Sequence, residues 1–153
     1  MTTKNYYGSY KNNTYLFDTS SLLYVLKSRG YQKLDTQDCF VLDLTFYEFG
    51  NAVLNLATKR SEGQLLSEDE VRLLLESFGK VSELLKIQSL ENASMSEIFK
   101  IAKQEKITFY DAGYLYCAKR IGCQLVTEDE KLARAAENNS VRVTDANEWM
   151  KTR

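Results

Sequence analysis

The feature that most constrains this chain is the regular alternation of short apolar runs with helical patterns. Thr14–Asp18 (TYLFD), Cys39–Asp43 (CFVLD), Gln124–Thr127 (QLVT) and Val141–Thr144 are each too short for a helix and rich in aliphatic and aromatic residues. Between them lie segments with apolar residues spaced three and four apart. A helix is predicted from about Ser20 to Ser28. A second runs from about Phe46 to Arg60, with Phe46, Phe49, Val53, Leu56 and Ala57 on one face. Leu66-Ser67-Glu68-Asp69-Glu70-Val71 reads as a capping box with a hydrophobic staple, opening a helix that ends near Phe78. Residues 81–90 are ambiguous, with a helix possible at the start and a strand over roughly Leu84–Gln88. Ser94 with Glu97 opens a helix to about Glu105, residues Thr108–Ile121 form another, and Glu128–Asn138 a third. Trp149 anchors a short C-terminal turn.

Strands separated by helices of this length mean βαβ units and a parallel sheet. The predicted fold is α/β, with helices on both faces of a sheet of about five strands. No repeat, Gly/Ser linker or low-complexity tract divides the 153 residues, so one domain over 14–153 is expected, preceded by a polar extension at 1–13. No apolar run reaches transmembrane length and the N-terminus lacks an apolar signal region, so a cytoplasmic protein is expected.

Two absences narrow the chemistry. The chain has no histidine, which excludes Ser-His-Asp and Cys-His catalysis and HExxH metal sites. Its three cysteines, Cys39, Cys117 and Cys123, form no CxxC and read as reduced, buried thiols. Proline is also absent, and no functional reason for that is evident. The net charge is −1, which argues against a generally basic nucleic-acid binder. Excess acid is concentrated in residues 61–100, with 8 acidic against 4 basic groups.

In open parallel sheets, ligands bind outside the carboxyl ends of the strands. Four carboxylates fall in that zone: Asp18 at the end of the first strand, Glu48 in the first turn after the second, Asp111 in the first turn of FYDAGYLYCAKRIG, and Asp129 after QLVT. Carboxylates also belong at helix N-termini for structural reasons. Asp18 suits a cap. Thr45 and Glu48 fit a capping box with Leu44 and Phe49 as its staple. Thr108 and Asp111 have the same spacing, and Asp129 falls one turn inside a helix capped by Thr127. Glu48 moreover lies opposite the apolar face of its helix, beside Asn55 and Lys59, as a surface residue would. Asp111 resists the purely structural account best, because it falls inside the stripe of Tyr114, Leu115, Ala118 and Ile121. An ionised carboxylate there is costly without a cation or good donors.

Four carboxylates without an imidazole–thiolate set suit a hard cation, Mg²⁺ or Mn²⁺. Such an ion polarises a phosphoryl oxygen and lowers the pKa of water, so no histidine base is required. Other phosphate chemistries lack their signatures. There is no GxxxxGK[ST] or GxGxxG, a DxD phosphatase would need an acid at Ser20, and a phosphorylatable receiver domain would need an acidic pair where Phe17 and Asp18 stand.

The segments YLFDTSSLL, LTFYEFGNAVLNLA, ITFYDAGYLYCAKRIGCQLVTEDEKLA and VRVTDANEW together resemble a PIN domain, most closely the VapC-type toxin ribonucleases, from about Thr14 to Trp149. DTSSLL alone is a weak signal; the FYDAGYLYCA helix followed by a strand and a T-x-D turn is a strong one. The resemblance implies a three-layer α/β/α PIN-like fold and a divalent-metal-dependent endoribonuclease. Asp18, Glu48, Asp111 and Asp129 would hold the metal, with Thr127 as the hydroxyl residue beside them. It also implies a dimer and a small antitoxin partner. A PIN nuclease of RNA processing without an antitoxin, and a non-catalytic RNA- or protein-binding adaptor, are the alternatives. RNA contacts are expected from Lys27, Arg29, Lys119 and Arg120, with Lys59, Arg60 and Arg134 as further candidates, and some of the 10 tyrosines could stack on bases. Glu128 and Glu130 depart from the pattern by adding charge that could repel RNA or bind a second ion. The leucines at 65, 66, 73, 74 and 75, with Phe78, are too many for one helix face and suggest a homodimer or antitoxin surface.

Overall fold

Each apolar run forms a strand, and period-two alternation sends its side chains to opposite faces of one sheet. The computed structural model describes residues 13–34, 38–58 and 65–153, so the extension at 1–13 falls almost wholly outside the described residues. The chain order is β1 (Tyr15–Phe17), α1 (Thr19–Lys27), a 3₁₀ turn at Gly30–Lys33, β2 (Cys39–Leu42), α2 (Thr45–Thr58), α3 (Glu68–Ser82), β3 (Lys86–Gln88), α4 (Met95–Glu105), α5 (Phe109–Ile121), β4 (Gln124–Val126), α6 (Glu130–Asn138), β5 (Val143–Thr144) and α7 (Ala146–Lys151). All strand pairs are parallel, in the order β3-β2-β1-β4-β5. The expected five-stranded parallel α/β fold is what the chain adopts.

Leu16, Phe40, Leu42 and Leu125 point to one face, where Tyr114, Leu115 and Ala118 of α5 and Leu132, Ala135 and Ala136 of α6 cover them. Phe17, Cys39, Val41 and Val126 point to the other. There Leu22, Val25 and Leu26 of α1, Phe49 and Val53 of α2, Leu74 and Val81 of α3 and Trp149 of α7 close over the sheet. Two covered faces explain why the strands read as continuous apolar runs rather than alternating ones. Trp149 is the largest fully buried side chain and meets Phe17 edge-on at 4.8 Å between ring centroids. The expected C-terminal turn is therefore a short helix that completes the second core. All three cysteines are free and buried, and burial pushes the Cys117 and Cys123 thiols up to about 12. No helix among the described residues is long and apolar enough to cross a membrane.

Two helix ends depart from the expectations. α3 continues one turn past Phe78 to Ser82, because Val81 packs into the core alongside Leu85. α6 begins at Glu130 rather than Glu128, with Asp129 as its cap. The capping box at Ser67 and Glu70 forms as predicted, and Ser94 caps α4 by accepting from the Glu97 amide. Of the leucine cluster, α3 buries Leu74, and Phe78 stacks on Phe49 at 4.2 Å. Leu73 and Leu75 remain exposed. One helix cannot turn three consecutive leucines inward.

The sheet order places the functional edge. From β1 the chain winds outward through β2 to β3, then returns to add β4 and β5 on the other side of β1. The winding reverses between β1 and β4, and the crevice beyond the carboxyl ends of those two strands is where such a fold binds ligands.

Candidate active site

Asp18 leaves the end of β1 and caps α1, accepting a 2.8 Å hydrogen bond from the Ser21 amide. The Ser20 hydroxyl donates to both its oxygens at 2.9 Å, and the Thr127 hydroxyl at the end of β4 donates to Oδ2. Below it, Ser21 Oγ donates to the carbonyls of Asp18 (3.1 Å) and Val126 (2.7 Å), tying β1 to β4 at the reversal point. Asp18 is only 5% exposed. Burial raises its carboxyl above the usual 3.8, against the lowering effect of the donors around it. It is a cap, as one reading of the sequence had it, and also an acid buried at a ligand crevice.

Thr127 is 3% exposed and works in two directions. Its hydroxyl donates to Asp18 and accepts from the Asp129 amide at 3.0 Å. Asp129, not Thr127, caps α6, taking the Lys131 and Leu132 amides at 2.7 and 3.0 Å. The expectation that Asp129 sits one turn inside that helix is thus corrected. The side chain is shorter than a full turn, and only a residue just outside the helix can reach its first free amides.

Glu48 requires the largest correction. Its helix alone puts it on a surface, yet α5 packs against that side. Glu48 Oε2 accepts from the Tyr114 hydroxyl at 2.7 Å and from Thr19 Oγ1 at 3.0 Å. Its carboxyl is raised above the usual 4.5, first by burial and then by the nearby charges of Asp111 and Asp18, with the two donors opposing. Nor does Thr45 form the expected capping box with it. Thr45 is buried, its hydroxyl accepts from the Leu42 amide (3.2 Å) and pairs with Tyr114 (2.8 Å), and the Glu48 amide goes to the Leu44 carbonyl.

Asp111 occupies the first turn of α5, where Thr108 caps the helix through the Asp111 amide (3.1 Å) and donates its hydroxyl to Asp111 Oδ2 (2.6 Å). The carboxylate is half-buried rather than sunk in the apolar stripe, since the stripe reaches solvent in this first turn. Glu128 accepts from the Ala146 amide at 2.7 Å and so serves as a tie to α7.

The predicted RNA-contact residues stand elsewhere. Lys27 ends the helix that Asp18 begins and Arg29 lies two residues past it, about 13 Å along its axis. Lys119 and Arg120 are at the far end of α5, about 12 Å from Asp111 by the same rise per residue. Lys119 reaches Asn139 at 3.5 Å, and Arg120 bonds the Tyr116 hydroxyl. In a parallel sheet, helices that start at the carboxyl edge must end at the opposite edge. Arg134 pairs with Glu130 at 3.6 Å, while Lys59 and Arg60 lie outside the described residues. Exposed Lys106, at the end of α4, and Lys131, in the first turn of α6, precede Asp111 by five residues and follow Asp129 by two. The sequence pattern alone missed the roles of Thr19, Thr45 and Tyr114. The available signal was Tyr114 itself, a tyrosine on a buried stripe whose hydroxyl must find a partner.

The acids fit a hard divalent cation by donor type and by charge. Among the described residues, no ion pair reaches Asp18, Glu48, Asp111 or Asp129. Glu48 feels both Asp18 and Asp111 as uncompensated neighbours. No three acidic side chains among the described residues stand close enough together to enclose an ion as they are, so closing on one requires side-chain rotation.

A PIN-domain family model matches residues 15–138. Over 115 residues the chain is 33% identical to Ribonuclease VapC3 of Pyrobaculum aerophilum, spanning 72% of this chain and 84% of the relative. It is 32% identical to Exonuclease VapC9 of the same organism, spanning 77% and 82%. The crystal structure of PAE2754 from Pyrobaculum aerophilum superposes with a TM-score of 0.74 at 25% identity, covering 99% of this chain and 97% of that one. The DNA-bound VapBC structure from Salmonella typhimurium shares the fold, with a TM-score of 0.60 at 17% identity, covering 87% and 98%. The chain belongs to the PIN-domain family, in its VapC-type branch.

Proposed function

We propose that this protein is a divalent-metal-dependent endoribonuclease whose site is built on Asp18, Glu48, Asp111 and Asp129. The observation that carries the reading is Asp18: a buried carboxylate without a cationic partner among the described residues, gripped by Thr127 and Ser20 at the point where the sheet reverses. A structural cap needs only the Ser21 amide. The burial of Asp18, and the repulsion that Asp18 and Asp111 exert on Glu48, cost stability and are what a cation site requires. The names of the two relatives support nuclease chemistry.

Asp18, Glu48, Asp111 and Asp129 would hold Mg²⁺ or Mn²⁺. When bound, the ion polarises a phosphoryl oxygen and offsets charge developing on the phosphate during hydrolysis. Thr127 keeps Asp18 oriented and links it to Asp129 through one hydroxyl. Exposed Tyr47 and Tyr110 (84% and 60%) flank Glu48 and Asp111 in their helices and offer ring faces to unpaired bases. Single-stranded RNA is therefore the substrate class favoured. A homodimer and a small antitoxin are the proposed partners, with exposed Leu73 and Leu75 of α3 the candidate apolar contacts. A monomer in sedimentation at high micromolar concentration would remove the dimer.

Two measurements test the reading. Mn²⁺- or Mg²⁺-dependent cleavage of RNA is expected, and circular RNA should be cut as readily as linear. A requirement for free ends would favour exonuclease action, the reading suggested by the name of the second relative. Separately, Mn²⁺ added to the metal-free protein should raise its thermal midpoint. At a hundredfold excess over Kd, mass action contributes about 2.7 kcal/mol, which for a chain of this size corresponds to roughly 5–10 °C. An unchanged midpoint at millimolar Mn²⁺ would count against the site.

A further inference from the structure

The hydroxyls around Glu48 form a directed chain. Tyr114 has one proton, and Glu48 Oε2, a pure acceptor when ionised, takes it at 2.7 Å. The 2.8 Å contact between Tyr114 and Thr45 must then run from the Thr45 hydroxyl to the tyrosine oxygen. Thr45 Oγ1 in turn accepts from the Leu42 amide at the end of β2. Thr19 Oγ1 gives its own proton to the same Oε2 at 3.0 Å. Every donor in the chain is used, and both side-chain donors to Glu48 converge on one oxygen. Among the described residues Oε1 accepts no hydrogen bond.

We infer that Tyr114 and Thr19 are positioning residues that pin Glu48 by Oε2 and leave Oε1 as the oxygen offered to a cation. The arrangement rests on the metal-site reading above but adds a role for residues that need not touch metal or RNA. Tyr114 is 1% exposed and packs in the core through its ring. Its hydroxyl reaches back to the end of β2 through Thr45, the first residue of α2, so the chain ties Glu48 through the first turn of its own helix to the sheet. Thr19 begins α1 immediately after Asp18 and couples the two acids through the backbone. A glutamate has three rotatable side-chain bonds, and holding one oxygen removes freedom that would otherwise be lost when an ion binds. Outer-sphere partners of this kind typically contribute 10- to 100-fold in metal affinity.

The test is calorimetric titration of Mn²⁺ into metal-free wild type, Tyr114→Phe, Thr19→Val, Tyr116→Phe and Asp18→Asn, with thermal midpoints recorded for each. Tyr114→Phe keeps the ring and is expected to weaken Mn²⁺ binding about 10-fold, with cleavage largely recovered at saturating Mn²⁺. Thr19→Val should weaken binding in the same direction, and it carries the test if the buried Tyr114 substitution impairs folding. Tyr116→Phe removes another α5 hydroxyl, one that bonds the Ser94 amide instead, and should leave Mn²⁺ affinity unchanged. Wild-type affinity in both Tyr114→Phe and Thr19→Val, with Asp18→Asn impaired, would overturn the positioning role and leave the metal site standing. Failure of the wild type itself to bind Mn²⁺ would overturn both.

Discussion

Replacing Asp18 by Asn is expected to reduce RNA cleavage by at least ~100-fold, the order seen when a group that stabilises the transition state is lost, while making the metal-free protein more stable at neutral pH. Asparagine is nearly isosteric. Its carbonyl oxygen still accepts from the Ser21 amide, so α1 keeps its cap, and the Ser20 and Thr127 hydroxyls can rotate to accept from the new amide. What disappears is a buried negative charge. Because burial raises the folded carboxyl above 3.8, the folded state holds its proton to higher pH than the unfolded chain does. Stability from this group is greatest below the unfolded value and is lost as pH rises from about 3.8 to the raised folded value. Glu48 acts in the same direction, beginning near 4.5. Urea denaturation of metal-free protein between pH 4 and 7 should therefore show wild-type stability falling with pH, and Asp18→Asn falling less. An Asp18→Asn protein that cleaves RNA normally would remove the central residue of the proposed site.

Asp111→Asn should also lower cleavage by at least ~100-fold, but with a different stability signature. Its carboxylate is half-buried and held by the Thr108 hydroxyl, so neutralising it releases little desolvation cost. The cap of α5 is made by Thr108 on the Asp111 backbone amide and survives the change. Loss of a negative charge at a helix N-terminus costs roughly 0.3–1 kcal/mol, giving a midpoint slightly below wild type. This separation of effects distinguishes ligand from cap. If Asp111 serves only the helix, activity stays near wild type and stability alone moves. Retained activity would dismantle the case that the acids act together.

The two acids also illustrate what could be read without coordinates. Asp18 and Asp111 were legible because their positions follow from local rules: a carboxylate one residue past an apolar run, or three residues after a threonine, sits at a strand end or in a helix's first turn; Asp129 was legible as an acid beyond β4, but not as the cap of α6. The Ser67 box and the Ser94 and Thr108 caps follow from the same i,i+3 geometry. The pattern of its own helix alone puts Glu48 on a surface, because the periodicity of one helix reports only which face that helix buries. It carries nothing about a second helix arriving over the polar side, which is what Tyr114 of α5 does. The basic residues lie away from the acids for a different reason. Lys119 and Arg120 share a helix with Asp111, but a helix converts eight or nine residues of separation into more than two turns of distance.

Composition and local pattern alone determined the parallel α/β class, most of the helix starts and the exclusion of histidine-based chemistry. These rest on interactions within a few residues or on composition, and neither depends on how the elements are ordered in space. Only the tertiary structure decided that β4 lies beside β1, so that Thr127 reaches Asp18 across 109 positions, and that Tyr114 reaches Glu48 across 66. Strand order is set by which buried surfaces fit best over the whole sheet, a collective property absent from any single segment. The acids were visible one at a time, and their grouping at one edge follows from the reversal of the winding between β1 and β4.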